Sequence, residues 1–161
     1  MPFLIGIRKS SWYPPEDASW IPEGDIPADA VSNLRVSNNC LSIWLIDTDR
    51  TNLPKVVAAL AATRKFLSNF DYALFDERLV EGLAVHETAG TTPYLAINSY
   101  HRDLVQLTGG RLLKLAQGIY ACREKGRFSE KEVRSMIASA LKANEIPENK
   151  IEESLRRSIL A

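Results

Sequence analysis

Short apolar runs dominate the first hundred residues, and helical stripes dominate the rest. "FLIGIRK" (3–9), "CLSIWLID" (40–47) and "FDYALFD" (70–76) are brief and mostly apolar, the pattern of strands buried on at least one face. Between the last two, Asn52 is placed to cap a helix and Pro54 falls in its first turn, where a missing N–H is tolerated. Val56, Val57, Leu60, Ala61 and Leu67 then recur on one face. This predicts a helix from Leu53 to about Leu67 inside a β–α–β unit, with a right-handed crossover if the strands are parallel neighbours. "GLAVHE" (82–87) and "YLAINSYH" (94–101) flank "TAGTTP" and predict a hairpin with a long loop.

From Arg102 onward the period becomes helical. Gly109-Gly110 interrupts the pattern, Leu112, Leu113, Leu115, Ala116, Ile119 and Tyr120 continue it, and Gly126 ends it. Ser129 with Glu132 forms a capping box for a helix faced by Val133, Met136, Ile137, Ala140 and Leu141. Pro147 opens a last helix carrying Ile151, Leu155 and Ile159. No repeat is visible at any period of about 20–50 residues. The expected fold is α+β: a mixed sheet of about five strands, one crossover helix and a C-terminal helical cluster. Residues 1–101 form the sheet portion and 102–161 a helical portion packed on it, in one compact domain.

Residues 10–34 break both periods. Pro14, Pro15, Pro22 and Pro27 fall here with five acids and no base. Repeated proline removes backbone donors and extends its neighbours, so a long irregular segment is expected. Trp12, Tyr13 and Trp20 lie within it. Large aromatics are costly to leave in water, so they either fold back on the core or serve as partner-binding anchors for a basic surface. Burial of Trp12 and Trp20 separates the two.

Charge adds little at the level of the whole chain. Twenty basic residues balance twenty acidic ones, which favours neither nucleic acid nor a membrane as partner. Residues 1–100 hold 8 bases against 12 acids and residues 101–161 hold 12 against 8, so the two parts attract one another, within a chain or between copies. Cys40 and Cys122 have neither metal-ligand nor redox spacing. No stretch approaches the roughly 20 apolar residues of a membrane span, and the expected setting is the reducing cytoplasm.

Several short patterns carry candidate chemistry. "WLIDTDRT" (44–51) ends a strand with Asp47 and Asp49. It resembles the first motif of the haloacid dehalogenase superfamily, in which the first Asp is a nucleophile, the second an acid/base, and magnesium bridges carboxylate and phosphate. The resemblance covers about eight residues. Arg50 stands where that family usually has glycine, a helix begins about five residues after Asp47, and no later Asp-Asp or Gly-Asp pair follows. The competing reading makes Asp47 and Asp49 local turn formers. The enzyme reading demands a third acid nearby, with Asp71, Asp76 and Glu77 the ones to inspect.

"HRDL" (101–104) is similar to the opening of the protein-kinase catalytic loop, but Thr108 stands in place of that loop's metal-binding Asn and no D-F-G follows. The alternative places Asp103 near a helix N-terminus, where its charge suits the helix dipole. His101 is a candidate general base beside Arg102 and Asp103. In the expected hairpin, His86 pairs near position 95. That leaves it about 20 Å from His101 at roughly 3.3 Å per residue, too far to share a metal, and no metal site is expected.

The basic residues Arg111, Lys114, Arg123, Lys125, Arg127, Lys131 and Arg134 are candidates for phosphate contact. Glu124, Glu130 and Glu132 interrupt them.

The leading expectation is therefore a non-catalytic cytoplasmic regulatory or protein-interaction module, self-associating as a homodimer or bound to a protein partner through Trp12, Tyr13 and Trp20, with no cofactor. One alternative is a small metal-assisted phosphate enzyme built on Asp47 and Asp49, with His101 and Asp103 as further catalytic candidates and magnesium as its cofactor. The other is a nucleic-acid binder using the C-terminal basic helices.

Overall fold

A computed structural model describes residues 1–14 and 16–161. Pro15, one of the four prolines of the 10–34 segment, lies outside them. The elements are β1 (Phe3–Ile7), α1 (Lys9–Trp12), α2 (Ala28–Asn33), β2 (Leu41–Leu45), α3 (Leu53–Ala61), β3 (Phe70–Phe75), β4 (Ala84–Glu87), β5 (His101–Val105), α4 (Gly109–Ala121), β6 (Lys125–Phe128), α5 (Glu130–Lys142) and α6 (Glu153–Leu160). Among the described residues the strands make one six-stranded sheet in the order β4-β5-β2-β1-β3-β6. Every adjacent pair is antiparallel.

The α+β class stands, with two corrections: the sheet is antiparallel rather than mixed, and it has six strands. β2 and β3 do run the same way around α3, but β1 is inserted between them, antiparallel to both. They are therefore not neighbours, and the first strand of the chain occupies the middle of the sheet.

Side-chain alternation splits the core into two layers. Phe3, Ile5, Ile7, Leu41, Ile43, Ala73 and Phe75 pack with Trp12 of α1, Ala30 of α2, and Leu115, Ala116 and Ile119 of α4. Leu4, Trp44, Phe70 and Leu74 pack on the opposite face with α3, α5 and α6. Burying one such large apolar side chain contributes about 1.5–3 kcal/mol, so both helical layers are bound to the sheet by transfer from water. Ser129 and Glu132 form the expected capping box at α5. Burial of Ile151, Leu155 and Ile159 matches the expected stripe, although Pro147 precedes a 3-10 turn at Glu148–Lys150 and α6 itself starts later.

The expected hairpin and the helical portion from 102 both change. Residues Leu95–Tyr100 form a 3-10 helix, with Tyr94 and Ile97 buried and Leu95 72% exposed. That three-residue spacing resembles neither a strand nor a full helix. Asn98 closes the loop: its Oδ1 accepts from Thr92 N at 3.1 Å and Thr92 Oγ1 at 2.7 Å, and its Nδ2 donates to Thr92 O at 3.0 Å. The true partner of β4 is β5, within the stretch expected to be helical.

Gly109 and Gly110 begin α4 rather than interrupt it, because Thr108 caps its first turn by accepting from Arg111 N at 3.3 Å. Gly126 lies in β6 beneath Tyr72, where an added Cβ would sit 2.4 Å from the Tyr72 hydroxyl oxygen.

The 10–34 segment is only partly irregular, since it contains most of α1 and all of α2. Trp12 is fully buried and its Nε1 donates to Asn33 Oδ1 at 2.6 Å, the same oxygen that accepts from Arg8 N at 2.9 Å. One amide oxygen thus ties α1, α2 and the end of β1 together.

Candidate functional site

The ladder between β1 and β2 is short. It holds Phe3↔Leu45 and Leu4↔Trp44, whereas β1 and β3 pair over all five residues of β1. Ile46 N donates to Pro2 O at 2.8 Å. By antiparallel alternation the next bonded pair on that edge after Leu4–Trp44 would be Gly6 with Ser42, and the ladder stops short of it. The peptide N–H and C=O of Gly6 are left on the side of a cleft of about 710 Å³, lined by β1, by Leu41, Ser42 and Trp44 of β2, and by the loop after α3. Gly6 and Ser42 are both exposed, although they belong to the interior strands of the sheet.

The helix predicted to Leu67 ends at Ala61. Its shortness leaves Gly6 and Ser42 unroofed and frees Thr63, Arg64, Ser68 and Asn69 to form a wall. Arg64 donates to Ser68 Oγ at 3.0 Å and Asn69 O at 3.1 Å, and its guanidinium lies 4.6 Å from the centre of the Phe70 ring. Burial pushes its pKa down from the ordinary value; Asp71 pulls it up and the like charge of Arg35 adds to the depression. A guanidinium remains charged through such a shift.

Arg8 and Arg35 complete the rim of the cleft, with Asn33 beside them. Among the described residues none of these three arginines is ion-paired. Asp71, the acid among the lining residues, accepts both bonds of Arg127 at 2.7 and 3.1 Å.

At the other end the cleft meets a polar cluster on the same sheet face. Ser42 donates to Asp103 Oδ1 at 3.1 Å, and Thr88 Oγ1 donates to Asp103 Oδ2 at 3.0 Å. Thr88 Oγ1 is also 2.8 Å from His101 Nδ1, and His101 Nε2 is 3.7 Å from Asp103 Oδ1. The His101 ring meets Trp44 edge-on with centroids 5.1 Å apart. Asp103 is therefore mid-strand in β5, not at a helix N-terminus, and it faces His86 across the ladder. The register expected for His86 thus moves by eight positions, from about 95 to 103. Arg102 points the other way in the alternation and pairs with Glu87 at 3.0 Å.

Of the remaining sequence candidates, Asp71 lines this cleft and the others stand apart from it. Thr51 N and Oγ1 donate to Asp49 Oδ1 at 3.1 and 3.0 Å, and Thr51 Oγ1 lies 3.4 Å from Asp47 Oδ2. The backbone bond from Thr51 is the larger cause holding the Asp49 carboxyl below its ordinary pKa. Asn52 does not cap α3 with its side chain: its Oδ1 accepts from Asp47 N and its Nδ2 donates to Leu45 O. Asp71 is bound to Arg127, Asp76 to Arg78, and Glu77 to the N-terminal amine. Among the described residues no three His, Cys, Asp or Glu side chains are grouped to hold a metal.

Of the three aromatics offered as anchors, Trp12 is core, whereas Tyr13 and Trp20 are exposed, at 37% and 63%. Lys125 is drawn inward, donating to Tyr120 O and Cys122 O, and Arg134 pairs with Glu130, so the basic run is partly consumed internally. No helix is long and apolar enough to cross a membrane, among the described residues.

Arg8, Arg35 and Arg64 carried no signal in the sequence. They are far apart along the chain and follow no motif. The one available hint was Gly6, a glycine inside an otherwise apolar strand, which marks a bulge or a close approach. Comparison with protein-family models, with curated proteins and with solved structures finds no match.

Proposed function

We propose that this protein is a cytoplasmic regulatory module that recognises an anionic, phosphate-bearing small molecule in the cleft between β1 and β2. The observation carrying this reading is the meeting of Arg8, Arg35 and Arg64, none of them ion-paired among the described residues, around a floor of exposed strand backbone. Collecting like charges costs free energy unless an anion neutralises them, and guanidinium groups match phosphate oxygens with paired N–H donors. A cleft of about 710 Å³ lies in the range of ligand-sized sites. The cleft is favoured over the aromatic segment because Trp12 is sequestered, and the two exposed aromatics, Tyr13 and Trp20, are ordinary for a protein surface. It is favoured over Asp47 and Asp49 because the acids that would complete a metal site are engaged elsewhere.

Titration with inorganic phosphate and pyrophosphate by calorimetry tests the reading. Binding is expected to weaken as ionic strength rises. Arg64→Gln is expected to lower affinity about ten- to a hundredfold, the loss of one or two charge-assisted hydrogen bonds. Arg35→Gln should act in the same direction. Absence of binding at low salt, or affinity indifferent to both substitutions, would remove the proposal.

A further inference from the structure

The cleft has chemically opposite ends. Arg8, Arg35 and Arg64 form the first, and a guanidinium offers donors and no acceptor. Ser42, which lines the cleft, and Asp103, which borders it and accepts the Ser42 hydroxyl, form the second. Ser42 gives its single proton to Asp103, so its oxygen keeps only lone pairs for anything in the cleft. Asp103 accepts one bond on each oxygen, from Ser42 and from Thr88. A carboxylate has about four acceptor positions, which leaves about two open. Its side chain remains 23% exposed, and its neighbour Arg102 is directed to Glu87 on the other face. The hydrogen bond from Thr88 and the ring of His101, held edge-on by Trp44, set the orientation of that carboxylate before a ligand arrives.

A simple anion satisfies the arginine end and meets only repulsion at the other. The complementary molecule carries its negative charge at one end and hydrogen-bond donors at the other. Resting on the anion-binding reading, we infer that the cleft takes an organic phosphate of nucleotide size, its phosphate on Arg8, Arg35 and Arg64 and the N–H groups of its base donating to Ser42 and Asp103. Carboxylates read the exocyclic amine of a base in this way in other settings. Ser42 and Asp103 are here specificity-determining residues, and His101 and Thr88 are positioning residues for Asp103.

The test compares inorganic phosphate, ribose 5-phosphate and the cytidine, adenosine and guanosine monophosphates by calorimetry at one ionic strength. At least one nucleoside monophosphate is expected to bind tenfold or more tightly than ribose 5-phosphate. That gain should vanish in Asp103→Asn and shrink in Ser42→Ala, whereas Arg64→Gln should weaken inorganic phosphate and nucleotides alike. Ser42 is exposed, so Ser42→Ala serves as the folded control if Asp103→Asn loses its circular-dichroism spectrum. Phosphate binding that depends on Arg64, with no preference for nucleotides or with a preference surviving both variants, overturns this inference and leaves anion binding standing. If phosphate and nucleotides alike fail to bind, both fall together.

Discussion

Trp12→Ala is expected to lower the unfolding free energy by about 3–5 kcal/mol, the cost of removing a large aromatic from a packed interior. Trp12 is fully buried among Ile26, Ala30, Leu34 and the β1 isoleucines in one of the two cores. Its loss leaves a cavity and takes one of the two bonds from Asn33 Oδ1. The remaining hydrogen bond to that oxygen, from Arg8 N, and the packing of Ala30 and Leu34 are then what link α2 to β1. Urea denaturation followed by tyrosine and tryptophan fluorescence measures the stability, with Trp20→Phe as a comparison. Because Trp20 is 63% exposed, its replacement should shift the midpoint by about 0.5 kcal/mol or less. Comparable losses for the two substitutions would contradict the packing described. The damage should also reach the cleft. Arg8 and Arg35 flank the segment that Trp12 and Asn33 anchor, so phosphate affinity should fall in Trp12→Ala even where the protein remains folded.

The second large effect separates binding from stability. Gly6→Leu is expected to abolish ligand binding while leaving the fold intact or firmer. The backbone at Gly6 does not lie in the left-handed region. An added Cβ meets Phe70 Cζ at 3.4 Å, an ordinary contact. Neither conformation nor sterics demands glycine there. A glycine inside a strand costs roughly 0.5–1 kcal/mol relative to alanine, so Gly6→Ala should be neutral or stabilising. A leucine at the same point projects from the floor into the cleft between Ser42 and Arg64 and displaces whatever occupies it. Thermal unfolding and phosphate calorimetry on the same samples check both halves. Undiminished affinity in Gly6→Leu would mean that the anion binds elsewhere. A large fall in Tm would mean that Gly6 is structural.

The sheet was legible where burial is one-sided or complete over several residues. β1, β2 and β3 read directly from "FLIGIRK", "CLSIWLID" and "FDYALFD", because an apolar run of that length has few alternatives to a buried strand. The α5 cap was legible too, since Ser129 and Glu132 act across three residues and need no distant partner. β5 and β6 were missed for the opposite reason. "HRDLV" and "KGRF" are mostly polar, and what makes them strands is the edge each one finds, β2 and β4 for the first and β3 for the second.

Local chemistry thus settled the three central strands, the start of a helix at Leu53, the 130–142 helix, and the turn that engages Asp47 and Asp49 through Thr51. Long-range packing settled everything on which the proposed site depends. β1 lies between β2 and β3, its ladder to β2 stops before Gly6, and α3 ends early enough to leave that gap open. Three arginines from three loops then meet across the opening. Hydrophobic period and capping act over a few residues and are therefore written in the sequence. The convergence of Arg8, Arg35 and Arg64 depends on how strands separated by dozens of residues share hydrogen bonds, and no single stretch of the chain encodes that pairing.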